Sequence, residues 1–398
     1  MTGRIRVLLR TGVALVALAV VALLPQPSPA KPNQAPTVDL RRLVVTESDA
    51  TAPIQGSPQR AELTLDPKLQ RTAARLLARA NPVAGAVVVA DARTGKVLVW
   101  VDRRRGRSQP GDVLLDQVAP AASLFKIVTA AALLDKAQIP PQTRVCTHGG
   151  QRRIERRHLE PPRRGQERVC RPFSEALGHS RNAVFAQLAT RHLLRRDLVQ
   201  MADQIGFNHP APFDGKVRFG KLEVPYNDLE FARTAAGFLG SRLSPLGAME
   251  LAYVVAAGGR FVQPRIVERA GAYRAPSRRR VLRRVMTAWT ARHLRRMMEV
   301  TVHSGTSLDV FSDDTGQSYL RAIRVAGKTG TLQPSPNAPT TTWFIGFAPS
   351  TKPRIVLSVL LDNGKVWRRK ANEVARDVLR AYFAERGEAG VTHPLKDG

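Results

Sequence analysis

The chain has 398 residues, 43% apolar and 24% charged, which excludes wholesale disorder and a collagen-like fibre and leaves enough length for a sizeable core. Lys and Arg number 62 against 32 Asp and Glu, a formal charge of +30, and 50 of the 62 are Arg; such an excess points to anionic partners, either nucleic acid or an anionic envelope surface. With two cysteines, the chain is neither a disulfide scaffold nor a four-thiolate zinc protein.

Arg4, Arg6 and Arg10 precede an apolar run from Gly12 to Leu24, followed by Pro25-Gln-Pro-Ser-Pro-Ala30. A basic start, a short apolar core and small residues before Ala30 describe a secretory signal over 1–30; an uncleaved anchor is the alternative. Either way the remainder is exported, which argues against nucleic acid as the partner of the Arg excess. Residues 31–60 are rich in Pro, Gln, Ser and Ala without helical period and read as a linker. Residues 61–385 read as one domain and 386–398 as a polar tail.

Within that domain, Leu63 to Ala80 has helical spacing, with Thr64 and Asp66-Pro67 as cap and first turn. Gly85–Ala90 and Lys96–Trp100 are β-branched runs joined by the turn Asp91–Gly95. From Pro120 to Leu134 the chain is apolar all round, as in a helix buried on every side. Residues 140 to about 235 form a helical insert holding both cysteines and a helix over 183–194. Leu243–Ala257 is a further apolar helix. Three strand-like runs follow, Ala322–Ala326, Thr341–Ala348 and Arg354–Leu361, and an amphipathic helix over 371–383 closes the domain. Two strands early and three late predict an α+β fold with one antiparallel five-stranded sheet, the late strands pairing with the early ones.

The buried helix carries Ser123-Leu-Phe-Lys126. Residues three apart share a helix face, so the Lys126 amine can reach the Ser123 hydroxyl. A Lys in a dry, cationic pocket loses its proton and can serve as the base that a hydroxyl nucleophile requires. Free N–H groups after Pro120 favour an oxyanion. The same pattern recurs at Ser28-Pro-Ala-Lys31, in the signal or linker, so alone it is weak evidence. Fifty-seven positions on stands Ser180-Arg181-Asn182: a second hydroxyl to shuttle a proton, and an amide to hold a substrate carbonyl near the Lys. Ser180 equally suits a helix N-cap. A further 148 positions on stands Gly327-Lys328-Thr329-Gly330-Thr331. There Lys328 supplies positive field, and the Thr329 and Thr331 hydroxyls suit a carboxylate. Gly330 lets substrate backbone approach, and the Thr331 N–H can complete an oxyanion hole.

In this order, the three motifs resemble those of penicillin-binding proteins and class A β-lactamases. The whole stretch from Leu63 to Phe383 resembles a penicillin-binding protein transpeptidase domain, through Leu63-Thr-Leu-Asp-Pro-Lys-Leu-Gln70, Gly85-Ala-Val-Val-Val, Leu243-Ser-Pro-Leu246, His303-Ser-Gly-Thr306 and Trp343-Phe-Ile-Gly-Phe-Ala-Pro349. The resemblance implies a serine acyl-enzyme. Ser123 attacks the D-Ala-D-Ala carbonyl of a peptidoglycan stem peptide, and a second stem peptide's amine takes the acyl group. β-Lactams acylate the same Ser123, and no cofactor or metal is needed. It also implies an extracytoplasmic site at the inner membrane, with cell-wall synthesis proteins as candidate partners. Relatives carry a glycosyltransferase or pedestal domain ahead of this one. Here about thirty linker residues stand in that place, so neither glycan polymerisation nor pedestal docking is expected. Arg181 occupies a position where relatives often have a small residue.

Cys146 and Cys170 bound a loop with seven Arg and three Glu. In an oxidising envelope the favoured reading is a disulfide, with metal binding alongside His148, His158 or His179 as the alternative. The loop's charge suits an anionic glycan or lipid surface, or simple solvation. A D,D-carboxypeptidase or β-lactamase would use the same serine. The class A deacylating Glu followed by Asn is not found after Ser180, and Asn182 departs from the class D pattern. A non-catalytic penicillin-binding envelope protein is the alternative of another class, although the triad shows no decay. Nucleic-acid binding would need basic residues interleaved with aromatics, and aromatics are only 6%.

Overall fold

The Asp66 carboxylate accepts from the Lys68 and Leu69 amides, and Pro67 presets the first turn, so α1 (Pro67–Ala80) starts there. Leu69, Ala73, Leu76, Leu77 and Ala80 recur every three or four residues and are buried, giving α1 one inward face. Asn81, left-handed at φ 47°, ends it. The computed structural model describes residues 34–106, 112–116, 119–166 and 168–395. The expected signal or anchor, residues 1–30, lies outside them. Among the described residues no helix is long and apolar enough to cross a membrane.

A hairpin follows, β1 (Ala84–Asp91) and β2 (Val97–Arg104). Its turn is held by Asp91 Oδ1, which accepts from the Arg93 and Thr94 amides at 2.8 Å. Next come α2 (Lys126–Asp135), a ribbon of β3 (Arg144–Thr147) and β4 (Val169–Pro172), then α3 (Asn182–His192), α4 (Arg195–Ile205), α5 (Asp228–Ala235), α6 (Pro245–Ala256) and α7 (Ala288–His303). The chain then returns to the sheet as β5 (Ala326–Leu332), β6 (Thr340–Ala348) and β7 (Ile355–Asn363), and closes with α8 (Ala371–Ala384).

The sheet has five strands in the order β5-β6-β7-β1-β2, every pair antiparallel. The expected pairing of late with early strands is the β7–β1 ladder, which sets Leu360 opposite Ala86 and Val359 opposite Val87. Successive side chains point to opposite faces. Ala86, Val88, Val356, Leu360, Trp343 and Ile345 therefore join the core containing α2 and α6, while Val87, Val89, Leu357, Val359 and Phe344 join the core under α1 and α8. Both faces are covered, which is why these strands read as continuous apolar runs.

Four expectations need correction. The stretch expected as a linker over 31–60 is paired in its described part: Val44–Val45, Ala50–Pro53 and Arg60–Leu63 form antiparallel strands with Val267–Ala270 and Tyr273–Arg274. Its inward positions are mostly small, with Ala50, Ala52, Ala61 and Leu63 buried, so a period-two pattern carried by alanine gives little hydrophobic contrast. The apolar run from Pro120 is not one helix. Ala119–Pro120 pairs with Ser241–Leu243, Ala122–Phe125 is a 3-10 turn, and α2 starts only at Lys126. The strand expected over 322–326 begins at Ala326 and contains the whole Lys328–Thr331 motif, whose glycines had masked it. The insert is not wholly helical, because the β3–β4 ribbon crosses it. Beyond α8 the described tail packs back, with Glu388 against Arg354 and Val391 buried.

Candidate active site

Ser123 sits in the 3-10 turn Ala122–Phe125, three positions before Lys126, the first residue of α2. The tight turn still brings the two side chains together, Lys126 Nζ standing 2.7 Å from Ser123 Oγ. The amine also donates to the Ala236 carbonyl at 2.8 Å, and Thr129 Oγ1 donates to the Ala235 carbonyl at 2.8 Å. Those carbonyls close the C-terminal end of α5, where helix carbonyls lack partners of their own. Lys126 is fully buried, with the Phe185 ring centroid 5.9 Å from Nζ. Desolvation, and next the charge of Lys328, hold its pKa well below the ordinary lysine value. A neutral amine keeps an N–H on Ala236 and turns its lone pair to the Ser123 hydroxyl, which makes it a base.

The turn before Ser123 is packed without slack. Ala122 is left-handed at φ 49°. A Cβ on Gly237, itself at φ 85°, would stand 2.1 Å from the Ala122 carbonyl oxygen. Trp343 Nε1 donates to the Pro120 carbonyl at 2.9 Å, tying β6 to the same turn. Gly237→Ala should therefore cost stability on two counts: about 1–2 kcal/mol from the left-handed backbone alone, and more from the clash. We expect a lower melting temperature; unchanged melting would contradict this packing.

The second and third motifs meet on the other side. Ser180 is left-handed at φ 52°, and Arg181, not Ser180, occupies the N-cap of α3, with no side-chain cap bond. The Ser180 hydroxyl accepts from Lys328 Nζ at 3.2 Å, while Lys328 also donates to the Thr329 carbonyl at 2.7 Å. Lys328 is fully buried, and desolvation lowers its pKa to about 7. Asn182 is the first residue of α3 and is buried. Its Nδ2 donates to the Gln151 carbonyl of the insert, a partner different from the expected neighbour Lys126. On β5, an edge strand of the sheet, Thr331 is exposed and Gly330 is buried. A Cβ at Gly330 would lie 3.4 Å from both the Ala121 oxygen and the Ala122 Cβ, so the strand passes close to the Ser123 turn.

Ser123 and Lys126 thus form one contact pair and Ser180, Lys328 and Thr329 another, centred on Lys328; the charge of Lys328 acts on Lys126, and Asn182 stands two residues from Ser180. Three contributors lie outside the three motifs, although Thr306 and Trp343 fall in stretches that carry the family resemblance. Thr306 Oγ1 lies 2.6 Å from Thr329 Oγ1; Gly237 and Trp343 hold the turn. Cys146 and Cys170 are directly opposite in the β3–β4 ribbon and are joined as a disulfide.

Residues 85–383 match the family model described as Penicillin binding protein transpeptidase domain. Peptidoglycan D,D-transpeptidase PbpA of Mycobacterium tuberculosis (strain ATCC 25618 / H37Rv) is 24% identical over 340 residues, covering 76% of this chain and 67% of the relative. Stage V sporulation protein D of Bacillus subtilis (strain 168) is 25% identical over 258 residues, covering 61% of this chain and 38% of the relative. Among solved structures, the imipenem acyl-enzyme complex of M. tuberculosis penicillin-binding protein A superposes with a TM-score of 0.66 at 23% identity, covering 81% and 79% of the two chains. The apo transpeptidase domain of Burkholderia pseudomallei penicillin-binding protein 3 gives 0.64 at 24%, covering 81% and 96%. These two likenesses speak to the fold.

Proposed function

The chain belongs to the penicillin-binding protein transpeptidase family, and on that premise we propose that it cross-links peptidoglycan stem peptides through an acyl-enzyme on Ser123. The observation that carries this reading is the buried Lys126 amine 2.7 Å from the Ser123 hydroxyl, with its pKa well below the ordinary value. Lys126 takes the proton as Ser123 Oγ bonds to the penultimate D-Ala carbonyl carbon. The carbonyl oxygen becomes an oxyanion held by the Ser123 and Thr331 N–H groups. The C–N bond then breaks as Lys126 gives its proton up through the Ser180 hydroxyl, which Lys328 contacts, to the leaving D-Ala nitrogen, and the Lys126 amine is neutral again. Lys328, Thr329 and Thr331 hold the terminal carboxylate of the donor. In the second half, the amine of another stem peptide attacks the ester, loses its proton to Lys126, and Ser123 Oγ regains one. A β-lactam follows the first half only, because its opened ring remains attached.

The protein works in the cell envelope. Residues 1–30 would deliver the domain to the outer face of the inner membrane and, uncleaved, hold it there, with cell-wall synthesis proteins as further partners. Transfer and hydrolysis are separated by supplying a donor peptide ending in D-Ala-D-Ala with and without an amine acceptor. The expected outcome is a peptide-linked product that grows with acceptor concentration at the expense of hydrolysis. Hydrolysis alone at every acceptor concentration would replace this reading with a carboxypeptidase.

A further inference from the structure

The insert closed by Cys146–Cys170 carries its arginines outward and its backbone inward. From β3 the chain turns through Gly149 and Gly150, at φ 57° and 73°. A Cβ on Gly150 would lie 2.9 Å from the Ala183 Cβ, so the backbone there rests on the first turn of α3. The next residue, Gln151, accepts the Asn182 amide at its carbonyl. Ile154 is fully buried among Ala183, Ala186, Ala232 and Ala236, and its carbonyl accepts from Arg233 Nε at 3.0 Å. Further along, Gln187 Nε2 donates to the His158 and Glu160 carbonyls at 3.1 and 3.0 Å. These contacts bind the insert to the start of α3 and the end of α5. The same helix ends bring Asn182 and the Ala236 carbonyl, the partner of Lys126, to the site.

We infer that the disulfide-closed insert is a positioning element for acylation, with Gln151 as the positioning residue acting through Asn182. A carbonyl facing the amide admits only one orientation, because Oδ1 turned toward it would repel. With one Nδ2 hydrogen committed, Oδ1 and the second hydrogen are left for substrate. Oδ1 is buried and has no hydrogen-bond partner among the described residues. A loop with Arg152 and Arg153 exposed and Ile154 buried would wander without closure; the disulfide joins its two strands at Cys146 and Cys170. Reduction of that bond therefore loosens the carbonyl that orients Asn182, and acylation becomes sensitive to reductant.

The inference rests on the acyl-enzyme reading, which labelling of the unaltered protein tests separately. The decisive experiment is a double-mutant cycle on the penicillin acylation rate, with melting temperatures measured alongside. One perturbation is Cys146→Ser with Cys170→Ser. The other is Gly150→Ala, which keeps the disulfide and serves if the cysteine variant fails to fold. Each should slow acylation about ten-fold or more, since displacements of an ångström carry penalties up to that scale and beyond. In an Asn182→Ala background the same changes should have less than about a two-fold effect, because the residue through which they act is gone. An equal loss in both backgrounds, or no loss in either, would overturn the inference. Failure of the unaltered protein to acylate would overturn the proposed function instead.

Discussion

Ser123→Ala is expected to leave a folded protein that no longer forms a covalent adduct with penicillin. Removing the serine of a catalytic unit in a hydrolase costs on the order of 10⁶ in rate, so labelling should fall below detection. The stability change should be small, within about 0.5 kcal/mol. Only one oxygen is lost, and Lys126 keeps the Ala236 carbonyl as partner. Labelling and thermal melting of the same preparation check both halves. An adduct surviving the substitution would mean that another nucleophile reacts.

Lys126→Met should have the next largest effect. It keeps an unbranched chain one atom shorter and removes the base, which contributes about 10²–10⁴ in rate for a positioned general base. Stability should change little, because an apolar chain in a dry site relieves a buried amine while leaving the Ala236 carbonyl without its donor. Acylation by the unaltered protein should rise with pH as Lys126 loses its proton through its lowered pKa, and this rise should be absent from the residual activity of Lys126→Met. At Lys328 the effect on binding has the opposite sign: above about 7 its charge is lost, and substrate carboxylates are held less well. Stability follows the same linkage. Lys328 titrates at about 7 when folded and near 10.4 when unfolded, so between these values the unfolded chain binds more protons. Its penalty is complete below about 7 and is relieved as pH rises toward 10.4. The melting temperature of the unaltered protein should thus gain on that of Lys328→Met across this window. A gain on falling pH would contradict the buried cation.

The motifs were legible because each is short and local: Ser123 and Lys126 share a turn, and Lys328–Thr331 lie on one strand. The sheet was legible because both faces of β1, β6 and β7 are buried, which leaves long apolar runs. Less visible was anything set by tertiary contact. Ala122–Phe125 has apolar helical composition, yet Gly237 and Trp343 hold it as a tighter turn from more than 100 residues away. The N-terminal strands hide because alanine fills their inward positions. Gln151 had no signal at all, since its contribution is a backbone carbonyl that any residue would supply. Asn182 was found as a motif residue, but its partner belongs to the insert, and nothing in Ser180-Arg181-Asn182 names that partner.

The most direct measurement is to label the purified protein with a fluorescent penicillin, map the adduct by peptide mass, and follow its loss with time. One adduct is expected, on Ser123, persisting long after excess penicillin is removed, because the opened ring blocks the second half of the reaction. An adduct on any other residue, or no adduct on demonstrably folded protein, would contradict the Ser123 acyl-enzyme. Loss of the label within seconds would contradict transpeptidation and make the protein a hydrolase.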